Sequence, residues 1–180
     1  MVLKPQAVVV LVKIHALGGQ PWTFAGLAQQ LRLSVPGMPS LGVGVATIHE
    51  SVNDATAAKL FDPGRRLPIL SNLLEFLVHG VRYCYPASRG QIVRGVPTSY
   101  AASPLVSRFP PGTDPIPVWP FAGGVARGES LEPLHPCVPG AALADPRFGE
   151  LMALIDGIRE GDARVRQAAV DELTVRLCEG

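Results

Sequence analysis

Proline is the strongest local constraint in this chain, because its ring fixes φ and it has no N–H to donate, so a segment dense in it resists both helix and interior strand. Of the 18 prolines, eleven fall between Tyr83 and Gly140, from Pro86 and Pro97 through Pro104, Pro110, Pro111, Pro115, Pro117 and Pro120 to Pro133, Pro136 and Pro139. That density predicts an irregular, extended middle and leaves the two ends to supply regular structure. Short apolar patches still punctuate it, at Ile92-Val93, Leu105-Val106, Val118-Trp119-Pro120-Phe121 and Leu131 to Leu134. A solvated linker has no use for Trp119 and Phe121, so the segment is expected to wrap along a folded surface, the chain's own or a partner's.

The ends read as helical. Pro5 suits a first helical turn and Gly18-Gly19 suits a helix end, which favours helix over Pro5 to Leu17. The β-branched run Val8-Val9-Val10-Leu11-Val12 keeps a buried strand open as the alternative. The glycine pair lacks the further spacing of a dinucleotide or P-loop fingerprint. Thr23 can cap a helix from Phe24 to Leu31, with Leu27, Ala28 and Leu31 on one face. A second helix, about Ala46 to Leu60, carries Ile48, Val52 and Ala55 at the same period. Between them, Val35 to Val45 holds two prolines and three glycines and reads as a loop. Ser71 is placed to cap a helix to about His79, striped by Leu73, Leu74, Leu77 and Val78, with Gly80 ending or loosening it. Near the other end, Asp145-Pro146 starts a helix carrying Phe148, Leu151, Met152, Leu154 and Ile155. Gly157 and Gly161 bracket an expected break, and Asp162 caps a last helix with Val165, Ala169, Leu173 and Leu177 on one face, which makes an αα-hairpin.

Three runs, Leu11-Val12-Lys13-Ile14-His15-Ala16-Leu17, Leu27-Ala28-Gln29-Gln30-Leu31-Arg32-Leu33-Ser34 and Ala57-Ala58-Lys59-Leu60-Phe61, together resemble the three-helix start of bacterial winged helix-turn-helix transcriptional regulators. The resemblance covers roughly the first eighty residues. It implies a winged-helix-like domain over residues 1–86, and together with the readings above the expected fold is mainly α in three parts, that domain, an irregular Pro/Gly-rich wrapping segment over 87–140 and a helical hairpin over 141–180. It also implies that the second motif helix enters the major groove of duplex DNA and that a following hairpin or loop touches the backbone. With Ile48, Val52 and Ala55 buried, the helical period exposes Ala46, Glu50, Asn53, Asp54 and Ala57. Thr47, His49 and Asn53 have the chemistry for base contacts. Lys59, with Arg65 and Arg66 beside the Pro63-Gly64 turn, supplies cations for phosphates, and Lys13 and Arg32 are further cations of the same half. Glu50 and Asp54 oppose them. The implied function is DNA-binding transcription regulation in the bacterial cytoplasm, in an antitoxin-like variant with a protein partner masked by the middle and C-terminal parts. Homodimerisation through the Leu73 to Val78 stripe or the hairpin belongs to the same expectation. The alternative is a protein-interaction adaptor with a degenerate motif and no DNA binding.

Charge gives modest support. Up to Tyr85 there are seven Lys or Arg against four acids, and beyond it nine against eleven, so the first half is the more anion-facing one. Other chemistries lack a pattern. His15, His49, His79 and His135 have no metal-site spacing, and Cys84, Cys137 and Cys178 lie far apart, as expected of reduced thiols. Cys137 lies two residues from His135, the single nucleophile and base pairing in view, and Ser99, Ser103 and Ser130 lack a Gly-x-Ser-x-Gly setting. No enzyme, metal or cofactor is therefore expected. Arg82, Arg89, Arg94 and Arg108, interleaved with Tyr83, Tyr85 and Tyr100, carry a single-strand-binding alternative beside that of loop anchors. The apolar run Ala7 to Val12 is broken by Lys13 and His15 and is far shorter than a membrane span.

Overall fold

A computed structural model describes residues 3–31, 43–110 and 112–178. The loop expected between the motif helices lies outside the described residues up to Gly42, as do Arg32, Leu33 and Ser34. Helix α1 (Pro5–Ala16) settles the strand alternative: Pro5 stands in the first turn and Gly18, at φ +61°, follows the last. Every residue from Ala7 to Ala16 is buried, so α1 is enclosed on all sides and forms the axis of the core. Lys13, on that buried helix, is neutralised by Asp145 at 2.6 Å and lies over the Phe148 ring.

Around α1 pack α2 (Phe24–Leu31) and α3 (Val45–Ala57). The Thr23 hydroxyl accepts from the Gly26 N–H at 3.0 Å, which is the cap the sequence predicts. Helix α3 stops one turn before the expected Leu60, because Lys59 takes a left-handed φ of +62°. The Asn72 amide donates to the Lys59 carbonyl at 2.8 Å and satisfies one group of that helix end. A two-stranded antiparallel hairpin follows, β1 (Phe61–Asp62) and β2 (Leu67–Pro68), in the register Phe61 to Pro68.

Helix α4 (Leu70–Glu75) runs through a π turn (Phe76–Gly80) into α5 (Val81–Cys84). Gly80 thus does not end the helix. The Phe76 ring packs where a side chain at Gly80 would stand, and the extra residue of the π turn absorbs the glycine. Ser71 lies inside α4 rather than at its cap, which is Ile69.

The middle of the chain is less irregular than its prolines predict. Strands β3 (Arg89–Pro97), β4 (Pro117–Pro120) and β5 (Ala126–Leu131) close on one another, β3 antiparallel to both and β4 parallel to β5. Pro97, Pro117 and Pro120 stand at strand ends, where a missing N–H costs the ladder least. Closure with only three strands brings backbones very close, and glycines permit it. A Cβ on Gly95 would lie 2.1 Å from the Trp119 carbonyl oxygen, and one on Gly128 2.1 Å from that of Ile116. Trp119 is itself buried in the chain's own core.

Then come α6 (Val138–Ala144), α7 (Pro146–Glu160) and α8 (Ala163–Cys178). Asp145 and Asp162 cap α7 and α8 by accepting from the N–H groups of Phe148 and Val165. The helical hairpin is present, but the break at Gly157 is not. A Cβ there would lie 3.0 Å from that of Ala169, so the glycine lets α8 approach α7. One hydrophobic cluster joins α1, α2, α3 and α4 to α7 and α8. The chain is mainly α, as expected, with a small sheet added. Among the described residues, no helix is long and apolar enough to cross a membrane.

Beneath the sheet lies a buried polar knot. The Asp156 carboxylate accepts from Arg159 at 2.6 Å, from Trp119 Nε1 at 2.5 Å and from the Thr98 hydroxyl at 3.0 Å. Arg159 also donates to the Tyr85 and Glu132 carbonyls, so α7, the end of α5, β4 and the segments flanking the sheet meet at two side chains.

Candidate nucleic-acid interface

Helix α3 buries Ile48, Ser51, Val52 and Ala55 and turns Ala46, His49, Glu50, Asn53 and Ala57 to solvent, with Thr47 and Asp54 half-buried on its flank. The outward face agrees with the sequence-derived period at Ala46, Glu50, Asn53 and Ala57, while Asp54, expected to be exposed, is half-buried. At about 100° per residue, His49 and Asn53 stand one turn apart on one side while Thr47 points to the opposite flank. Lys59 lies beyond the helix end, exposed.

An aromatic cluster joins α3 to the hairpin turn. The His49 imidazole stacks on Phe24 with centroids 3.6 Å apart and planes at 15°. Phe24 meets Trp22 edge-on at 5.3 Å, and Trp22 leans on Phe61 of β1. Over this platform lies Arg66, its guanidinium 4.3 Å from the Trp22 ring centre and 5.7 Å from that of Phe24. Two hydrogen bonds lock the pair: Arg66 Nη2 donates to the Trp22 carbonyl at 3.1 Å, and Trp22 Nε1 donates to the Arg66 carbonyl at 3.0 Å. Arg66 itself takes φ +57°.

The turn is built locally. Asp62 accepts from the N–H groups of Gly64 and Arg65, an Asx turn that fixes the tip of the hairpin. Arg65 stays 83% exposed, with its nearest acid oxygen 3.9 Å away on Asp62, a contact too long and too solvated to hold it. The acid on the helix is partly answered as well. Glu50 pairs with Lys4 at 2.5 Å, and that hydrogen bond, aided by the charges of Glu50 and Asp54, raises the Lys4 ammonium above its ordinary value.

Four of the six sequence-derived site residues thus share one region: His49 and Arg66 on the same rings, Arg65 beside Arg66, and Asn53 one turn along from His49. Thr47 and Lys59 stand apart from that cluster. Trp22 and Phe24 were missed as site residues, although both are aromatics at a helix start, outside the Leu27, Ala28, Leu31 stripe.

Comparison with protein-family models, curated proteins and solved structures found no match.

The catalytic alternatives have weak geometry. Burial pushes the Cys137 thiol up to about 12, the opposite of an activated nucleophile, and His135 Nδ1 is occupied by the Cys137 backbone N–H. Ser99 sits buried at φ +53° and donates to Glu160 at 2.7 Å, a carboxylate already gripped by Arg89. Among the described residues, no group of three or more His, Cys, Asp or Glu could hold a metal ion. In the arginine and tyrosine series, Arg89 pairs with Glu129 and Glu160 and Arg108 with Glu172, while the Tyr85 hydroxyl donates to the Leu3 carbonyl and burial pushes it up to about 12. Those residues anchor the segment, which is the second of the two roles open to them.

Proposed function

We propose that the chain is a duplex-DNA-binding transcriptional regulator of the bacterial winged helix-turn-helix kind, acting in the cytoplasm, with α3 toward the bases and the β1–β2 turn on the backbone. The observation that carries this reading is the platform of Trp22 and Phe24, which sets Arg66 of the turn and His49 of α3 on one surface. A winged helix needs its groove-reading helix and its backbone-contacting hairpin held in fixed relation. Here the link is a stack, a cation–π contact and two hydrogen bonds, so the two parts move as one. Arg65 adds an unencumbered cation beside Arg66, and Asn53 adds an amide able to make a bidentate contact with adenine. Lys4 answers Glu50, one of the two acids that would oppose phosphates.

Salt dependence tests it. With duplex DNA from upstream of its own gene, affinity should fall as salt rises, because each phosphate contact releases counterions. Replacing Arg65→Ala and Arg66→Ala together should make the slope of log affinity against log salt shallower by about 2. Failure to bind that DNA at low salt would sink the proposal. A second reading, an adaptor docking a basic protein partner, is favoured by Glu50 and Asp54 on the outer side of α3, and predicts that failure.

A further inference from the structure

The cross-strand pair of Arg94 and Arg127 has no structural explanation. They are direct partners in the antiparallel register of β3 and β5, and both are exposed. Directly opposite residues of such a pair have Cβ atoms about 5 Å apart, and like charges placed so destabilise a sheet. Several other arginines are compensated by acids, Arg89 by Glu129 and Glu160, Arg108 by Glu172, Arg159 by Asp156 and Arg176 by Glu150 and Glu172, and the uncompensated ones do not stand opposite a second arginine across a ladder. Among the described residues, neither Arg94 nor Arg127 has an acid, a hydrogen-bond acceptor or an aromatic face. Glu129, two residues along β5 from Arg127, is taken by Arg89 at 2.9 Å.

The two arginines line a cleft of about 290 Å³ together with Ile92, Val93, Val125 and Ala126. Ile92 and Val125 are unusually exposed for their type, Val125 at 86%. Guanidinium forks match the planar oxygens of a carboxylate or a phosphate. Two of them lining one short cleft suit a single anionic group, whereas a nucleic-acid backbone calls for cations spread along a groove. Beside them the apolar rim offers cover to a hydrocarbon or ring attached to that anion.

We propose that Arg94 and Arg127 form a binding site for a small organic anion, a carboxylate or phosphate monoester carrying an apolar group, with Ile92 and Val125 against that group. The ligand removes the repulsion between the strands, so its binding raises the stability of the chain by mass action. The site is separate from the α3 and hairpin surface and does not rest on the DNA-binding reading.

Titration calorimetry and thermal unfolding of the full chain, with inorganic phosphate, phenyl phosphate and benzoate as probes at low salt, test it. Phenyl phosphate is expected to bind at least tenfold more tightly than inorganic phosphate and to raise the unfolding midpoint. Arg94→Gln and Arg127→Gln should each weaken it at least tenfold. Arg127→Glu, which places an acid opposite Arg94, should raise the midpoint without ligand and abolish the response to it. Equal response of wild type and variants, or no response to any probe at millimolar concentration, overturns the proposal. Displacement of phenyl phosphate by duplex DNA would assign the cleft to a nucleic-acid backbone and overturns it equally.

Discussion

His15 shows what a single side chain costs when the core closes over it. It is 7% exposed on the central helix, and its Nε2 donates to the Arg176 carbonyl at 3.2 Å. Burial, with a smaller contribution from the Arg147 charge, holds its imidazole below the ordinary value of 6.5, against the pull of the Arg176 carbonyl. The unfolded chain therefore takes up the proton first as pH falls. Stability from neutral His15 is fully present above about pH 6.5 and is lost as pH drops through that value toward the lower folded one. His135, lowered by burial, adds to the same loss. Urea midpoints measured at pH 7.5 and 5.5 should differ less in His15→Gln than in wild type, and least when His135→Gln is added. An unchanged difference would show that other groups carry the acid sensitivity. Legibility at this scale was uneven. Arg65 and Arg66 could be read from the adjoining Pro63-Gly64 turn, while Trp22 and Phe24 could not, because contacts made with residues as distant in sequence as His49 and Arg66 leave no periodic trace.

Among the elements, capped helices were the readable ones. Asp145 and Asp162 announce α7 and α8 through a local hydrogen bond that needs nothing else from the fold. The three-stranded sheet announced only short apolar patches, at Ile92-Val93, Val118 to Phe121 and Leu131, with no strand period around them. Its prolines lie at strand ends, its apolar positions are few, and its closure depends on glycine backbones meeting carbonyls from distant strands. Gly157 was misread for a related reason: intrinsic propensity marks it as a helix breaker, and the contact with Ala169 overrides propensity. Gly95→Ala should destabilise the chain by about 2–3 kcal/mol, the upper range for overpacking, since its clash is with backbone rather than a movable side chain. Gly112→Ala, with nothing within 4 Å, serves as the control and should leave the urea midpoint unchanged. Equal midpoints for the two variants would mean that the strands are not closed on one another.

The molecule as a whole is joined through Asp156 and Arg159. Both are buried, three residues apart on α7, and their hydrogen bonds reach the ends of α5 and β3, the middle of β4 and the segment after β5. Desolvation pushes the Asp156 carboxyl up and the Arg159 charge pulls it down, so the pair stands or falls together. Asp156→Asn leaves a buried guanidinium without its counter-charge and should cost about 3–5 kcal/mol. Adding Arg159→Gln should recover part of that loss, a non-additivity that a double-mutant cycle in urea measures directly. Fully additive losses would show the two to be independent. No sequence pattern marks this pair, since its partners, two backbone carbonyls and the side chains of Thr98 and Trp119, are set in place by the fold.

The enclosed helix α1 sets a schedule for synthesis. Its Lys13 waits for Asp145, 132 residues later in the chain. At a typical elongation rate that interval is roughly 7–26 s. Throughout it, a mostly apolar helix with an unpaired ammonium stands without the helix that will cover it, which makes the nascent chain, rather than the finished protein, the form that calls for chaperone protection.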